Sequence, residues 1–289
     1  MKKISTFSIV ARDPQTGELG VAVQSKFLAV GSAVCWAKSG AGAIATQALA
    51  NLDFGDLGLK LLEKGYSAGK VLEALLALDD SKEERQIGIV DAMGNSAAFT
   101  GKNCFNWAGH TTGMDYSCQG NILISEDTVK ALEDTFLNSK GALAERLVLA
   151  LEKAQEAGGD KRGRQSAALL VVKEKGSYGG YNDRYIDLRV DDDPEPIKKL
   201  RHLLELHDMY FSRTKPEETL EVNDEVGRII QEALKELGYY KGSITGIYNA
   251  ETVKAFGDFC GIENFEERIC QGSFVDSRVL EFLKKKAGI

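Results

Sequence analysis

Short apolar runs separated by turn residues fill the first third of the chain, and their spacing is that of strands. ISTFSIVA and ELGVAVQS flank DPQTGE, whose Pro14 and Gly17 favour a turn, so together they predict a hairpin. SAVCWAK and GAIATQAL around SGAG predict a second, and RQIGIVDAMGNSAAFTG a third around a tight AMGN turn. Between the last two the period lengthens to that of a helix. GLKLLEKG closes on Gly65, and SAGKVLEALLAL opens on Ser67 in the N-cap position.

After the polar stretch NWAGHTTGMDYSCQGN, ILISEDTVKALEDTFL reads as a helix capped by Ser125, and GALAERLVLALEKAQEAGG as an amphipathic helix closed by Gly158 and Gly159. SAALLVVKE and RYIDLRVD are strands around KGSYGGYND, and DPEPIKKLRHLLELHDMYFSR is a helix with proline near its start. Turns this short cannot carry crossovers, so the sheets are antiparallel and the class is α+β, with two stacked sheets covered by helices. SRTKPEETLEVNDE is polar and charged. It divides residues 1–212 from a unit at 222–289, with 213–221 as linker. The second unit reads as small and all-α: two helices joined by a Gly-rich loop, then DSRVLEFLKKK, with Tyr239–Tyr240 an exposed contact pair.

Length adds that 289 residues hold one large domain and a small one. A net charge of -7 argues against nucleic acid or an anionic membrane as partner. No run of signal-peptide or membrane-spanning length is present, which predicts a cytoplasmic protein. Five scattered cysteines without CxxC spacing, and three histidines without ligand spacing, predict neither disulfides nor a metal site, and no cofactor motif is found. Cys104 and Cys118 have no histidine in a recognisable relation to them and read as core residues.

The segments TFSIVARDPQTGELGVAVQSK, ATQALAN, GIVDAMGNSAAFTG, AGHTTG, QGN, GGDKRGRQSAAL and RVDDDPEPIKKLRHLLELH, in this order, closely resemble the family catalogued as domain of unknown function 1028. The resemblance covers about residues 4–210. It implies the N-terminal nucleophile hydrolase fold, a four-layer αββα sandwich. The tail IIQEALKELGYYKGSITGIYNAETVKAF resembles a peptidoglycan-binding domain. With no export signal, docking or support of a homo-oligomer suits that tail better than the cell wall.

In this fold class a Thr, Ser or Cys at a free N-terminus is the nucleophile and its own amine the base. An amine of pKa about 7.7–8.0 suits that task near neutral pH, and a neighbouring lysine lowers both pKa values. The resemblance puts Thr6 and Lys26 in these places. Lys2, Lys3, Ile4 and Ser5 stand between Met1 and Thr6, so the nitrogen of Thr6 is an amide. Either the Ser5–Thr6 bond is cut, or the catalyst is silent, or another residue is the base.

Other polar clusters offer pocket residues. Asp160, Arg162, Arg164, Gln165 and Ser166 lead into an apolar strand, where arginine can hold a carboxylate through its planar fork. Thr46, Gln47 and Asn51 close another strand. Asn51 or Gln165 can donate to an oxyanion, while the plain reading of Asn51 is a turn residue bonded to its own backbone. His110 is a structural hydrogen-bonding residue or the alternative base, and Asn121 and Asp183 complete the list. The expected activity is hydrolysis of a small amide or peptide. The alternative is a non-catalytic protein binding a ligand or partner on the same fold.

Overall fold

The computed structural model describes residues 6–289. The chain divides into two compact units, Met1–Leu204 and Glu205–Ile289. In the first, β1 (Thr6–Arg12) and β2 (Leu19–Ser25) form the expected hairpin, with Thr6 opposite Ser25 and Arg12 opposite Leu19. Ile4 and Ser5, which the sequence reading adds to this strand, lie outside the described residues. The Asp13 carboxylate folds the turn by accepting the N–H groups of Gln15 at 2.8 Å and Thr16 at 3.3 Å.

A short helix, α1 (Gly31–Val34), takes the front of the SAVCWAK run and leaves β3 (Cys35–Lys38) to pair with β4 (Gly42–Ala48). Helices α2 (Asp53–Glu63) and α3 (Ala68–Ala77) follow. Ser67 holds the N-cap position of α3, but its side chain makes no capping bond. Asp91 accepts the Ala68 N–H instead, at 3.1 Å. β5 (Arg85–Asp91) and β6 (Ser96–Thr100) form the third hairpin.

The polar stretch after it is also a hairpin, β7 (Gly109–Gly113) with β8 (Tyr116–Asn121), and β8 pairs with β1. Next come α4 (Asp127–Asn138), α5 (Leu143–Glu156), β9 (Ser166–Val172), β10 (Arg184–Val190) and α6 (Pro196–Phe211). The six-stranded sheet has the order β10-β9-β2-β1-β8-β7 and the four-stranded sheet β3-β4-β5-β6, with all of these pairings antiparallel.

The two-residue period of a strand divides β1 between two environments. Phe7, Ile9 and Ala11 pack with Leu132 of α4 and Leu147 and Leu151 of α5. Val10 turns the other way and packs with Val21, Val23, Ala43, Ala45 and Val90 between the sheets. The far side of the four-stranded sheet buries Ile44, Ile87 and Ile89 with Phe54, Val71 and Leu75 of α2 and α3. Removing a fully buried ring such as Phe7 costs about 3–5 kcal/mol in transfer and cavity terms.

The second unit is a mixed helical region rather than all-α. β11 (Thr219–Glu221), within the expected linker, pairs with β12 (Phe274–Asp276). Helices α7 (Asp224–Glu236), α8 (Ala250–Ile262) and α9 (Ser277–Ala287) bury Ile230, Leu234, Phe256, Phe259 and Leu283. Each helix is capped by a side chain that accepts first-turn N–H groups: Asn223, Asn249 and Asp276. Tyr240 is not the exposed contact expected of it. It is buried and donates its hydroxyl to the Ser243 carbonyl at 3.0 Å, while Tyr239 meets Phe259 edge-on.

Arg268 is fully buried in this unit. It donates to the carbonyls of Met209 and Asp208 and to the carboxylates of Asp276 at 2.8 Å and Glu218 at 3.0 Å. Burial alone would raise the carboxyl pKa values of Asp208 and Glu218. Hydrogen bonds from Arg278 and Ser212 to Asp208, and from the Lys215 N–H and Arg268 to Glu218, hold both below the usual range.

Candidate functional site

Thr6 opens a strand flanked on both sides, by β2 and β8. It shares the face of Ser8 and Val10, which looks into the space between the sheets. Near Arg12 this space is apolar. Near Thr6 it is filled by hydroxyls and amides: Thr6, Ser8, Ser25, Gln47, Gln86, Ser117, Gln119 and Asn121 are all buried.

Gln86 on β5 is the hub. Its Nε2 donates to the carbonyls of Gly120 at 2.7 Å and Gly109 at 3.0 Å and to Thr100 Oγ1 at 2.9 Å. Its Oε1 accepts from Gln47 Nε2 at 2.8 Å and Asn121 Nδ2 at 2.9 Å. Gln47 also reaches the Thr6 carbonyl at 3.4 Å and accepts the Ser8 hydroxyl at 2.7 Å. Gln119 donates to Ser8 Oγ and accepts from Ser117, each at 2.7 Å. Gly88 makes room for this contact, since a Cβ there would lie 2.0 Å from Gln119 Oε1. The Thr6 hydroxyl donates to Ser25 Oγ at 3.2 Å.

The backbone around this end is strained. Ala29 beyond β2, Ala48 at the end of β4 and Ile122 just after β8 have φ of 52°, 67° and 52°, in the left-handed region that β-branched isoleucine seldom occupies. Such outliers gather at functional sites. Ile122 is held there by its N–H to the Phe105 carbonyl and its carbonyl to the Lys161 N–H.

The charged loop forms a rim. Asp160 is buried and bridges to Leu123, and its carboxylate accepts the Lys26 N–H at 2.8 Å and the Arg162 N–H at 2.8 Å. Arg162 also pairs with Asp160 at 3.2 Å, and Arg164 with Glu195 at 2.6 Å. The Lys26 ammonium lies on this exposed rim, donating to the Arg164 carbonyl at 3.3 Å. Ser166 donates to the Phe27 carbonyl and accepts the Val30 N–H, fixing the loop after β2. Gln165 donates outward to Asp192 at 3.0 Å.

Three expected residues stand apart from this cluster. Thr46 lies on the α2 side of β4, the opposite face from Gln47, and donates to the Asn51 carbonyl. Asn51 donates to Asp79 at 3.1 Å and accepts the Asp53 N–H, so both ends of its amide are engaged in the turn after β4. Asp183 lies in the β9–β10 turn, at the opposite end of the sheet, where it accepts the Ser39 N–H.

His110 joins the network at its outer edge, 2.8 Å from Thr100 Oγ1, with part of its surface open and burial of the rest lowering its pKa. Burial pushes the Cys118 thiol well up, which fits a core residue. Among the described residues no group of three or more His, Cys, Asp or Glu can hold a metal, and no helix is long and apolar enough to cross a membrane.

A family model described as "Family of unknown function (DUF1028)" matches residues 6–200. The chain belongs to this family. A model described as "Putative peptidoglycan binding domain" matches residues 210–283. The DUF1028 chain is also similar to the crystal structure of protein SPO2555 from Silicibacter pomeroyi, a protein of the same family. The two share 30% identity at a TM-score of 0.65, with 71% of this chain and 89% of that chain covered. No curated protein matches. Ser8, Ser25, Gln86, Ser117 and Gln119 of the DUF1028 unit are absent from the residues singled out by sequence. For Ser8, Ser117 and Gln119 the signal was available in STFS and YSCQGN, where small or apolar residues alternate with hydroxyls and amides.

Proposed function

We propose that the DUF1028 unit is an amide-bond hydrolase of the N-terminal nucleophile class, on an αββα sandwich, acting on a small amide or peptide once Thr6 heads the chain. The observation that carries this reading is the place of Thr6: first residue of β1, hydroxyl on Ser25, among the amide donors of Gln47 and Asn121. With its amine free, Thr6 nitrogen takes the proton from Oγ1 as the oxygen attacks the carbonyl carbon. Neutral amide donors are suited to the oxyanion that forms. Collapse passes the proton to the departing amine and leaves an ester on Thr6, which water then hydrolyses. Lys26, on the rim, contributes field rather than contact, and Arg162 and Arg164 exchange their present partners for a substrate carboxylate.

Intact mass of protein taken from its native cell, together with hydrolysis of a panel of chromogenic amides, tests this. The expected result is a chain beginning at Thr6, with activity abolished in Thr6→Ala. A chain retaining residues 1–5, with activity indifferent to Thr6→Ala, overturns it.

The second reading is a non-catalytic binding protein, favoured by one observation: in the uncut chain Thr6 is wholly buried and its nitrogen is an amide. A thermal-shift screen with small acids and amides, and pull-down on purified peptidoglycan for the second unit, decide it. Silence in both removes this reading.

A further inference from the structure

The far end of β1, roughly 20 Å from Thr6 at about 3.3 Å per residue, opens on a cleft of about 550 Å³. None of the candidate site residues named from the sequence lines it. Arg12, Lys140 and Arg146 contribute cationic side chains, and Phe136, Leu137 and Met114 an apolar wall. We propose that this cleft binds a small organic carboxylate, as a site separate from Thr6.

Arg146 is the reason. Its guanidinium lies over the Phe136 ring, 4.1 Å from the centroid, and Nη2 donates to the Phe136 carbonyl at 3.1 Å. These contacts fix its position without using its other donors. Nε is buried with no partner, and Nη1 stands 4.0 Å from Asp13, beyond hydrogen-bonding distance. Asp13 accepts the turn N–H groups of Gln15 and Thr16 with Oδ1 and turns Oδ2 toward Arg146, while Asp115 is paired with Arg12 at 2.8 Å. No carboxylate of the described residues pairs with Lys140. The balance left in the cleft is Lys140 and Arg146 against Asp13 alone, which favours an anion.

A pre-positioned guanidinium presents a planar donor set matched to carboxylate. The apolar wall selects an organic body over a bare inorganic ion.

Isothermal titration of the full-length protein at low salt, with benzoate, succinate and inorganic phosphate as probes, tests the proposal. Benzoate is expected to bind at millimolar concentration or tighter, ahead of phosphate. Lys140→Glu, an exposed change that leaves the fold intact by circular dichroism, weakens it by about tenfold or more, the effect of losing one charge-assisted contact. Arg146→Lys weakens it likewise, and Thr6→Ala leaves it unchanged. No heat with benzoate or succinate, or binding unaltered in Lys140→Glu, overturns the site. Phosphate binding more tightly than benzoate, with the same dependence on Lys140, overturns the organic-acid assignment.

Discussion

The polar layer around Gln86 and the cluster around Arg268 solve the same problem, burial of groups that water would otherwise satisfy, by opposite chemistry. The first is neutral. Gln86 makes five hydrogen bonds to amides, a hydroxyl and backbone carbonyls, and no formal charge stands in the layer. The second is ionic, with Arg268 and Arg278 set against Asp208, Glu218 and Asp276. A neutral network holds its shape at any pH and leaves donors that can turn to a new acceptor. An ionic one is strong only while both signs are present. The neutral layer of the first unit thus keeps donors open for chemistry, while the charged cluster of the second ties its stability to acid.

The sharpest break in the comparison is Arg268→Met. It leaves the buried carboxylate of Asp276 without its cation, and stability of the second unit should fall by about 3–5 kcal/mol, read by urea unfolding followed by circular dichroism. A loss under about 1 kcal/mol, as for an exposed pair, would show the cluster to be ordinary surface pairing.

Gln86→Leu is next. It takes an acceptor from the amides of Gln47 and Asn121 and a donor from the carbonyls of Gly120 and Gly109, and should cost about 2–3 kcal/mol, read through Trp36 and Trp107, which lie in the first unit.

Acid should then separate the units. Folded pKa values below the unfolded ones for Asp208 and Glu218 give stability that is present above the ordinary carboxylate range and lost as pH falls through the depressed values. Asp208→Asn should flatten part of that loss. In the first unit, Asp79 behaves likewise through its hydrogen bond from Arg85, but the Gln86 layer contributes nothing to the slope. His110 contributes a shallow fall that begins as pH drops below the ordinary histidine value, because its folded pKa is the lower one.

The smallest effect has the opposite sign. Gln24 on β2 is wholly buried on the Phe7 side of the sheet, and neither polar atom of its amide has a partner among the described residues. Gln24→Leu should raise stability by about 1–2 kcal/mol, measured by the urea midpoint. A loss instead would show that the amide is held by something beyond the side chains around it.

The hairpin β1–β2 was legible because its residues alternate between two apolar layers near Arg12. The hairpin β7–β8 was not, because Ser117, Gln119 and Asn121 project into a polar layer and erase the apolar signal that marks a buried strand. The same cause hid Gln86 and Ser25. The scatter of the candidate residues over the unit is geometric. Thr46 and Gln47 are neighbours in sequence yet face opposite ways, and Asp183 sits in a polar turn like that of Asp160 but at the other end of the sheet. Linear spacing gives a residue's period. Which end and which face it reaches depends on pairings made far along the chain. The exposed reading of Tyr240 failed similarly, since its ring fills the core while only the hydroxyl looks polar.

One ring gives an experimental handle on all of this. Thr100 Oγ1 accepts from Gln86 and stands 2.8 Å from His110 Nδ1, so the balance between the two imidazole tautomers follows the hydrogen bonding of that hydroxyl. The chain has only three histidines, so this nucleus is easy to pick out in a nitrogen-15 spectrum. A change of tautomer on adding a compound would signal, from the outer strand, that the concealed amides have rearranged.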